Sequence, residues 1–289
     1  MHFSTSSLVT LAIAVSSVGA QYAAVNPPAS EVKDVDWSAL PPVSNDVSTN
    51  AKRFAQGLPP INPVKRGPHR GGPHRDGSIP YHHGGTRVAS APRAQTSPSP
   101  RNEKKCNILA SFTNGTEYGY ITPKFNKFGE YYAFQPDQDE SLLVSFTYPV
   151  DAPTQLTFTA ENGQAKQAYP LFGGIVGYGS TGDDFAAGNP DYAYLGGTTS
   201  TPAGSPATAG PNSFTTATDI EKNIESAIWA YDPTTQAITA QWINSDGSSP
   251  PTSIVYIPEG LLALTGDVQT FSDTFGPTIP LHFKCVPPA

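Results

Sequence analysis

The sequence predicts an all-β domain, a single antiparallel β-sandwich with one or two short helices, behind a signal peptide and a leader without fixed structure. Three observations predict it. Every arginine lies between Arg53 and Arg101, so a basic stretch precedes a region with none. Short apolar runs with two-residue alternation recur through residues 106–289, punctuated by Gly, Pro, Asn and Asp. The only two cysteines, Cys106 and Cys285, bracket that same region.

Three segments follow: a signal peptide over 1–20, a leader over 21–105 and the β domain over 106–289. In the first, the apolar run from Leu8 to Val15 leads into small residues ending at Ala20. Val18 and Ala20 fit cleavage before Gln21. The run is too short to cross a bilayer, and no later segment has the roughly 18 consecutive apolar residues a spanning helix needs. The expectation is export to the extracellular space with no membrane anchor.

The leader holds twelve Lys and Arg against six Asp and Glu, and the β domain five against eighteen. The leader is rich in Pro, Gly and Ser, and its few branched aliphatics bury too little apolar surface to offset the entropy of ordering. Two dibasic pairs, Lys52-Arg53 and Lys65-Arg66, bracket the segment from Phe54 to Val64. A kexin-type processing protease needs two cations on an exposed flexible strand, so cuts after Arg53 and Arg66 are expected. Two Gly-Pro-His-Arg repeats begin at Gly67 and Gly72, with His82-His83 beyond them. Interleaved arginine disfavours a metal cation there, so the tract reads as a cationic spacer, suited to an anionic wall polymer. Export and the scattered Gly and Pro argue against nucleic acid as a partner.

In the β domain, strands are expected at 108–112, 131–134, 142–148, 155–160, 175–178, 228–231, 237–243, 253–257 and 281–285. Alternation is clean at Leu142, Val144, Phe146 and Tyr148, and again at Ile238, Ala240 and Trp242. Asn162-Gly163, Asp232-Pro233 and Asp246-Gly247 mark turns. Helical turns are expected over 219–227 and over 266–275, where Val268, Phe271 and Phe275 share a face. Residues 203–212 read as a surface loop. A Cys106–Cys285 disulfide would tie the first strand to the last, as an even cysteine count in an exported chain implies. Asn114-Gly115-Thr116 is an N-glycosylation sequon in a turn-like stretch.

Few residues carry a chemical signature. Tyr178, Tyr192 and Tyr194 stand beside Gly and Asp, and Asp183-Asp184 follow the glycine-rich run 173–182. Aromatic faces with carboxylate acceptors are what the CH face and hydroxyls of a sugar need, so these five residues are the candidate ligand site. Core packing competes with that reading for each tyrosine. The acidic turn at Asp137, Asp139 and Glu140 lacks the spacing of a calcium loop, and no metal or cofactor is expected. His282 is the only histidine of the domain, and no G-x-S-x-G precedes it, which disfavours a serine triad. Catalytic residues are therefore not assigned, and eighteen acids leave carboxylate chemistry open. Three functions remain: a carbohydrate or cell-wall binding module, an acid-active hydrolase of glycosidase or glutamic-peptidase type, and a structural protein or precursor of a short peptide.

Two stretches resemble known proteins. Arg53-Phe-Ala-Gln-Gly-Leu-Pro-Pro-Ile-Asn-Pro-Val-Lys-Arg66, with the Ser-Pro tract near Arg93 to Pro100, resembles the R-x-A-x-G-L-P-P leader of secreted proteins of mushroom-forming fungi. The acidic domain also resembles a widespread secreted fungal domain. These likenesses imply compartment and processing and carry no activity. The stretch from Ile228 through Tyr231-Asp232 to Trp242 resembles the strand–turn–strand of concanavalin-like, legume-type sandwiches, with Ile254–Pro258 and Val268–Gly276 suiting the next elements; the likeness, over residues 228–276, implies a concanavalin-like or jelly-roll-like arrangement. The glutamate–aspartate strand and downstream histidine that hold metal in those lectins have no counterpart here.

Overall fold

The structure, a computed structural model, describes residues 22–43, 101–150, 153–258 and 260–288. Ala20, Arg53, Arg66 and the histidine repeats lie outside the described residues. The described chain is mostly β: β1 (Arg101–Phe112), β2 (Glu117–Ile121), β3 (Phe134–Gln135), β4 (Leu143–Pro149), β5 (Phe158–Ala160), β6 (Leu171–Val176), β7 (Tyr192–Thr198), β8 (Thr208–Ala209), β9 (Asn223–Glu225), β10 (Trp229–Tyr231), β11 (Ala237–Ala240), β12 (Ser253–Ile257), β13 (Leu261–Thr265) and β14 (Ile279–Val286). Two short helices accompany them, α1 (Ser213–Thr218) and α2 (Val268–Phe275). No described helix is long and apolar enough to cross a membrane.

The sheet is antiparallel and closes on itself. The circuit runs β1–β4–β5–β6–β7–β13–β12–β14 and returns to β1. Closure rests on the two ends of the domain, Asn107–Phe112 paired with Leu281–Val286. Both seam strands serve two further neighbours. Residues 101–107 of β1 pair with β4 and residues 109–111 with β2; residues 279–281 of β14 pair with β12 and residues 283–284 with β11. The all-β expectation holds, in the form of a barrel-like closed sheet. The Cys106–Cys285 disulfide forms across the seam, with both cysteines fully buried and their Cα atoms 5.4 Å apart.

Alternate residues of every circuit strand fill the ring. Cys106, Ile108, Val144, Phe146, Phe158, Phe172, Leu195, Leu264, Ile254 and Phe283 belong to one buried cluster, with Trp229 and Trp242 inside it. The residues between them on β6, β7, β12 and β13 face outward, yet are buried as well. Ile175, Tyr192, Tyr194, Val255, Leu261 and Ala263 pack beneath Phe214 of α1 and Phe271 and Phe275 of α2. The outside of the ring is therefore roofed over β6, β7, β12 and β13, and partly open to solvent over β4, β5 and β14.

Burial on both faces explains what alternation missed. β7 and β13 are buried at every position, so no polar residue marks a period of two. Glycine also diluted the signal in β6 and β7, where the backbone is crowded: a Cβ on Gly174 would come within 2.6 Å of the Trp242 ring. The helix at 266–275 is present as α2, capped by Asp267, whose Oδ1 accepts the Thr270 N–H at 3.0 Å. The helix expected at 219–227 lies earlier. Asn212 caps Ser213–Thr218 through the Thr215 N–H, 2.8 Å away. Asp219 then turns left-handed at φ 58° and ends it, leaving Asn223–Glu225 to pair as β9.

The leader differs from its expectation at both described ends. Residues 101–105 continue β1, so the composition break at Cys106 falls within a strand. Residues 22–43 lie against the domain as a strap. Ala23 N–H donates to Thr274 O (2.8 Å), Lys33 N–H to Ala217 O (2.8 Å) and Val43 N–H to Gln167 O (2.6 Å). Trp37 meets Phe125 edge-on at 5.1 Å. Val25 packs on the roofed cluster, while Trp37 and Leu40 pack on the ring cluster.

The disulfide closes a loop of 179 residues, so its loss releases unfolded-chain entropy of roughly 5 kcal/mol on the chain-entropy view. The Cys106→Ala/Cys285→Ala variant is expected to unfold at markedly lower denaturant with its β-sheet spectrum kept under native conditions. Coincident urea transitions of variant and parent would contradict a role for the seam crosslink.

Candidate functional site

Two places bring chemistry-bearing side chains together. The first lies under the strap. A tight hairpin from Phe125 to Tyr131 rests on β7, with Glu130 bridged to Gly196 and the Tyr131 N–H bonded to Leu195 O at 2.9 Å. Asn126 organises the turn: its Oδ1 accepts the Phe128 and Glu130 N–H groups at 2.9 and 3.1 Å. Its Nδ2 donates to Glu130 Oε2 at 2.7 Å. This conformation fixes the Glu130 carboxyl beneath the strap with no exposure to solvent.

From the roofed face of β7, Tyr192 and Tyr194 rise beside it, both fully buried. Each hydroxyl accepts one backbone N–H, Gly179 on Tyr192 (3.1 Å) and Tyr178 on Tyr194 (2.9 Å). Each then donates to the same atom, the carbonyl oxygen of Val25, at 2.5 Å. Asn26 Nδ2 faces Glu130 Oε2 at 3.4 Å, and Pro27 is buried next in line. Two buried atoms here have no partner, Glu130 Oε1 and Asn26 Oδ1.

Burial sets the protonation of this group. Desolvation pushes Glu130 up to about 8, against which the amides of Asn126 and Asn26 act in the lowering direction. Burial likewise raises both tyrosines, Tyr194 well above the ordinary value, so they remain O–H donors through neutral and mildly basic pH. A neutral acid, two phenol donors and a carboxamide thus converge on one stretch of peptide backbone.

The second place is a polar pocket of about 720 Å³ between the loop after β6 and the start of β9. Asp183, Lys222, Asn223, Ser180, Thr181 and Thr215 line it. Asn223 Nδ2 holds Asp183 Oδ2 at 2.7 Å. Lys222 Nζ donates to Gly177 O at 2.8 Å and Tyr178 O at 3.3 Å. Partial burial lowers the Lys222 ammonium's value, with Asp183 and Asp191 opposing. Asp191, itself buried, anchors the loop by accepting the Thr181 N–H (2.7 Å) and Asn189 Nδ2 (2.9 Å). Behind the pocket, burial pushes Glu225 up to about 9, with the charges of Asp183 and Asp184 adding to the rise. Its carboxyl takes the Ile243 N–H at 3.2–3.3 Å.

The five residues singled out in the sequence divide between these places. Asp183 lines the pocket, and Tyr178 contributes backbone to both. Tyr192 and Tyr194 lie in the seat under the strap with no open ring face. Asp184 turns away to accept from the Ser245 N–H and hydroxyl, both at 2.6 Å. Glu130, Asn126 and Lys222 were not singled out: Lys222 meets Gly177 and Glu130 meets Asn26 across long stretches of sequence, and only the Asn126–Glu130 contact is local. Asn126-x-x-x-Glu130 around Gly129 could have flagged a capped turn. Asn114 is exposed in the β1–β2 turn, and His282 is exposed on β14. The acidic turn at Asp137 and Asp139 is held by Gln135 Nε2 through main-chain oxygens at 2.9 and 2.6 Å. No group of three or more His, Cys, Asp or Glu able to hold a metal occurs among the described residues. Searches of protein families, of characterised proteins and of solved structures return no match to this chain.

Raised carboxyl values make stability depend on pH. Between the ordinary 4.5 and about 8 for Glu130 or 9 for Glu225, the folded chain keeps protons that the unfolded chain gives up. Stability is therefore complete below the ordinary value and drains as pH rises through this window. The Tm is expected to fall between pH 5 and pH 9. Glu130→Gln, which imitates the neutral acid, should recover about 3 °C or more of that loss at pH 8, given roughly 2–4 °C per kcal/mol for a domain of this size. Parallel Tm–pH curves for parent and variant would show that Glu130 is ionised when folded.

Proposed function

We propose that this is a secreted binding protein whose mature β domain takes a hydroxyl-rich, carbohydrate-class ligand, such as a cell-wall glycan, in the Asp183–Lys222 pocket. The observation that carries the reading is the fixed alternation of acceptor and donor around one concavity. Asp183 is pinned by Asn223 and Lys222 by two backbone carbonyls, and the hydroxyls of Ser180, Thr181 and Thr215 line the same space. Such groups bind sugar hydroxyls with little ordering cost, because the protein has already paid it in folding. Tyr192 and Tyr194 are not part of this surface, so recognition is by hydrogen bonding rather than ring stacking. Glycan chemistry also suits a domain that retains an acidic balance of five Lys against eighteen Asp and Glu.

Export, signal cleavage after Ala20, kexin-type cuts after Arg53 and Arg66 and glycosylation at Asn114 complete the reading. The exposed sequon turn and the buried disulfide support it. A two-layer sandwich, concanavalin-like or jelly-roll-like, is the finer arrangement proposed for the closed sheet; the double service of β1 and β14 as corner strands supports it.

A second reading, an acid-active hydrolase, is favoured by Glu225, a neutral acid beside the carboxylates of Asp183 and Asp184. That division of protonation states is the one glycosidases use. Against it, Glu225 is buried, accepts from the Ile243 N–H and does not line the pocket, so a substrate oxygen has no path to it.

Fungal and plant glycan arrays probed with the secreted protein are expected to give a saturable signal that Asp183→Ala or Lys222→Ala weakens about tenfold or more. Silence of the parent across both arrays would remove the binding reading. Hydrolysis of a polysaccharide at pH 3–5, lost in Glu225→Gln, would replace it with the second.

A further inference from the structure

The strap is bound as a ligand would be bound. Its Val25 carbonyl is gripped by two buried tyrosine hydroxyls, its Asn26 amide meets the Glu130 carboxyl, and Pro27 is buried beyond. Each feature reads a residue type. Val25 supplies an apolar side chain to the roofed cluster. A residue before proline is restricted to extended backbone, which presents the carbonyl ahead of it. Proline has no N–H, so it can be buried without a backbone acceptor. The pattern read is a β-branched residue, then Asn, then Pro.

That pattern occurs again in the chain. Of the three Asn-Pro pairs in the sequence, at Asn26, Asn62 and Asn189, the first follows Val25, the second Ile61 and the third Gly188. Ile61-Asn62-Pro63 lies inside the segment Phe54–Val64, bracketed by the two dibasic pairs. The residues ahead of it, Leu58-Pro59-Pro60, are bulkier than the Ala23-Ala24 ahead of Val25. A cavity of about 750 Å³ borders Tyr22–Asn26, between the strap and Phe128, Tyr132, Ile257 and Phe275, and offers that bulk a place.

We propose that the Tyr192–Tyr194–Glu130–Asn126 seat is a peptide-recognition site for β-branched–Asn–Pro sequences. Val25–Asn26–Pro27 fills it in cis, and the Phe54–Val64 peptide, through Ile61–Asn62–Pro63, is its ligand in trans. The strap then acts as a tethered competitor. Intact chains keep the seat closed to other copies of the motif, and a cut after Arg53 turns the tether into a dissociable ligand.

The test uses the full chain with both cis copies disabled, Asn26→Ala/Pro27→Ala/Asn62→Ala, and a fluorescent synthetic Phe54–Val64 peptide read by anisotropy. Saturable binding is expected, at least tenfold weaker to the parent chain, whose seat is filled. It should fall at least tenfold when the peptide carries Asn62→Ala and at least fivefold when the protein also carries Tyr194→Phe. If the triple variant loses its folded spectrum, the milder Asn26→Ala/Asn62→Ala chain is measured in the same way. A folded open-seat chain that binds no peptide at millimolar concentration, or binds a scrambled peptide equally, overturns the proposal.

Discussion

Everything in this molecule hangs on the pairing of its two ends. The other ladders of the circuit join segments that lie closer in sequence, but β1 and β14 are separated by nearly the whole domain, and only their pairing turns a meander into a closed ring. Closure leaves the circuit strands without a free edge, which removes a hazard of exposed sheets. It also creates an inside, where Trp229 stacks on Phe172 at 4.9 Å and on Phe158 at 5.3 Å. Such pairing must await most of the chain, and the loop entropy it costs is large. The buried disulfide sits where that cost is incurred.

A ring of this kind has an outside, and here half of it is apolar. β6, β7, β12 and β13 carry Ile175, Tyr192, Tyr194, Val255 and Leu261 on the face away from the core, a surface too large and greasy to leave wet. α1 and α2 cover most of it with Phe214, Phe271 and Phe275, and the remainder is left to the strap. The two tyrosine hydroxyls make the strap more than a cover. Without it, two buried donors face no acceptor, at about 1–3 kcal/mol each if no water or ligand replaces it. A surface so arranged selects for an occupant.

Local patterning made much of the ring legible. Leu142 to Tyr148 and Ile254 to Tyr256 alternate or run apolar, and Asp267 with Gly276 brackets α2 as sequence signals should. β7 and β13 escaped because residues buried on both faces show no period. The candidate sites were less readable for a different reason. Tyr192 and Tyr194 stood out by type, yet their role depends on Val25, more than 160 residues away, in a segment whose composition argues against order. That argument concerns independent folding and remains sound there: the strap has no core of its own. It borrows one, through Val25, Pro27, Trp37 and Leu40, and mean composition does not register four well-placed side chains.

Charge opposition between leader and domain suggests that electrostatics holds the two together, but the contacts say otherwise. The one ion pair between strap and domain among the described residues, Lys33 with Asp219, joins two side chains more than half exposed, where solvent and salt leave little net attraction. The grip lies instead in the uncharged group of Tyr192, Tyr194 and neutral Glu130 and in the apolar seats of Val25 and Trp37. Salt would scarcely loosen such a contact, whereas ionising Glu130 would place a charge in a site without solvent, where only the Asn126 and Asn26 amides donate to it. The buried carboxyl thus ties the folded state to proton activity more than to ionic strength: stability is full where Glu130 is neutral in folded and unfolded chain alike, and drains as the pH rises from the ordinary carboxyl value toward about 8.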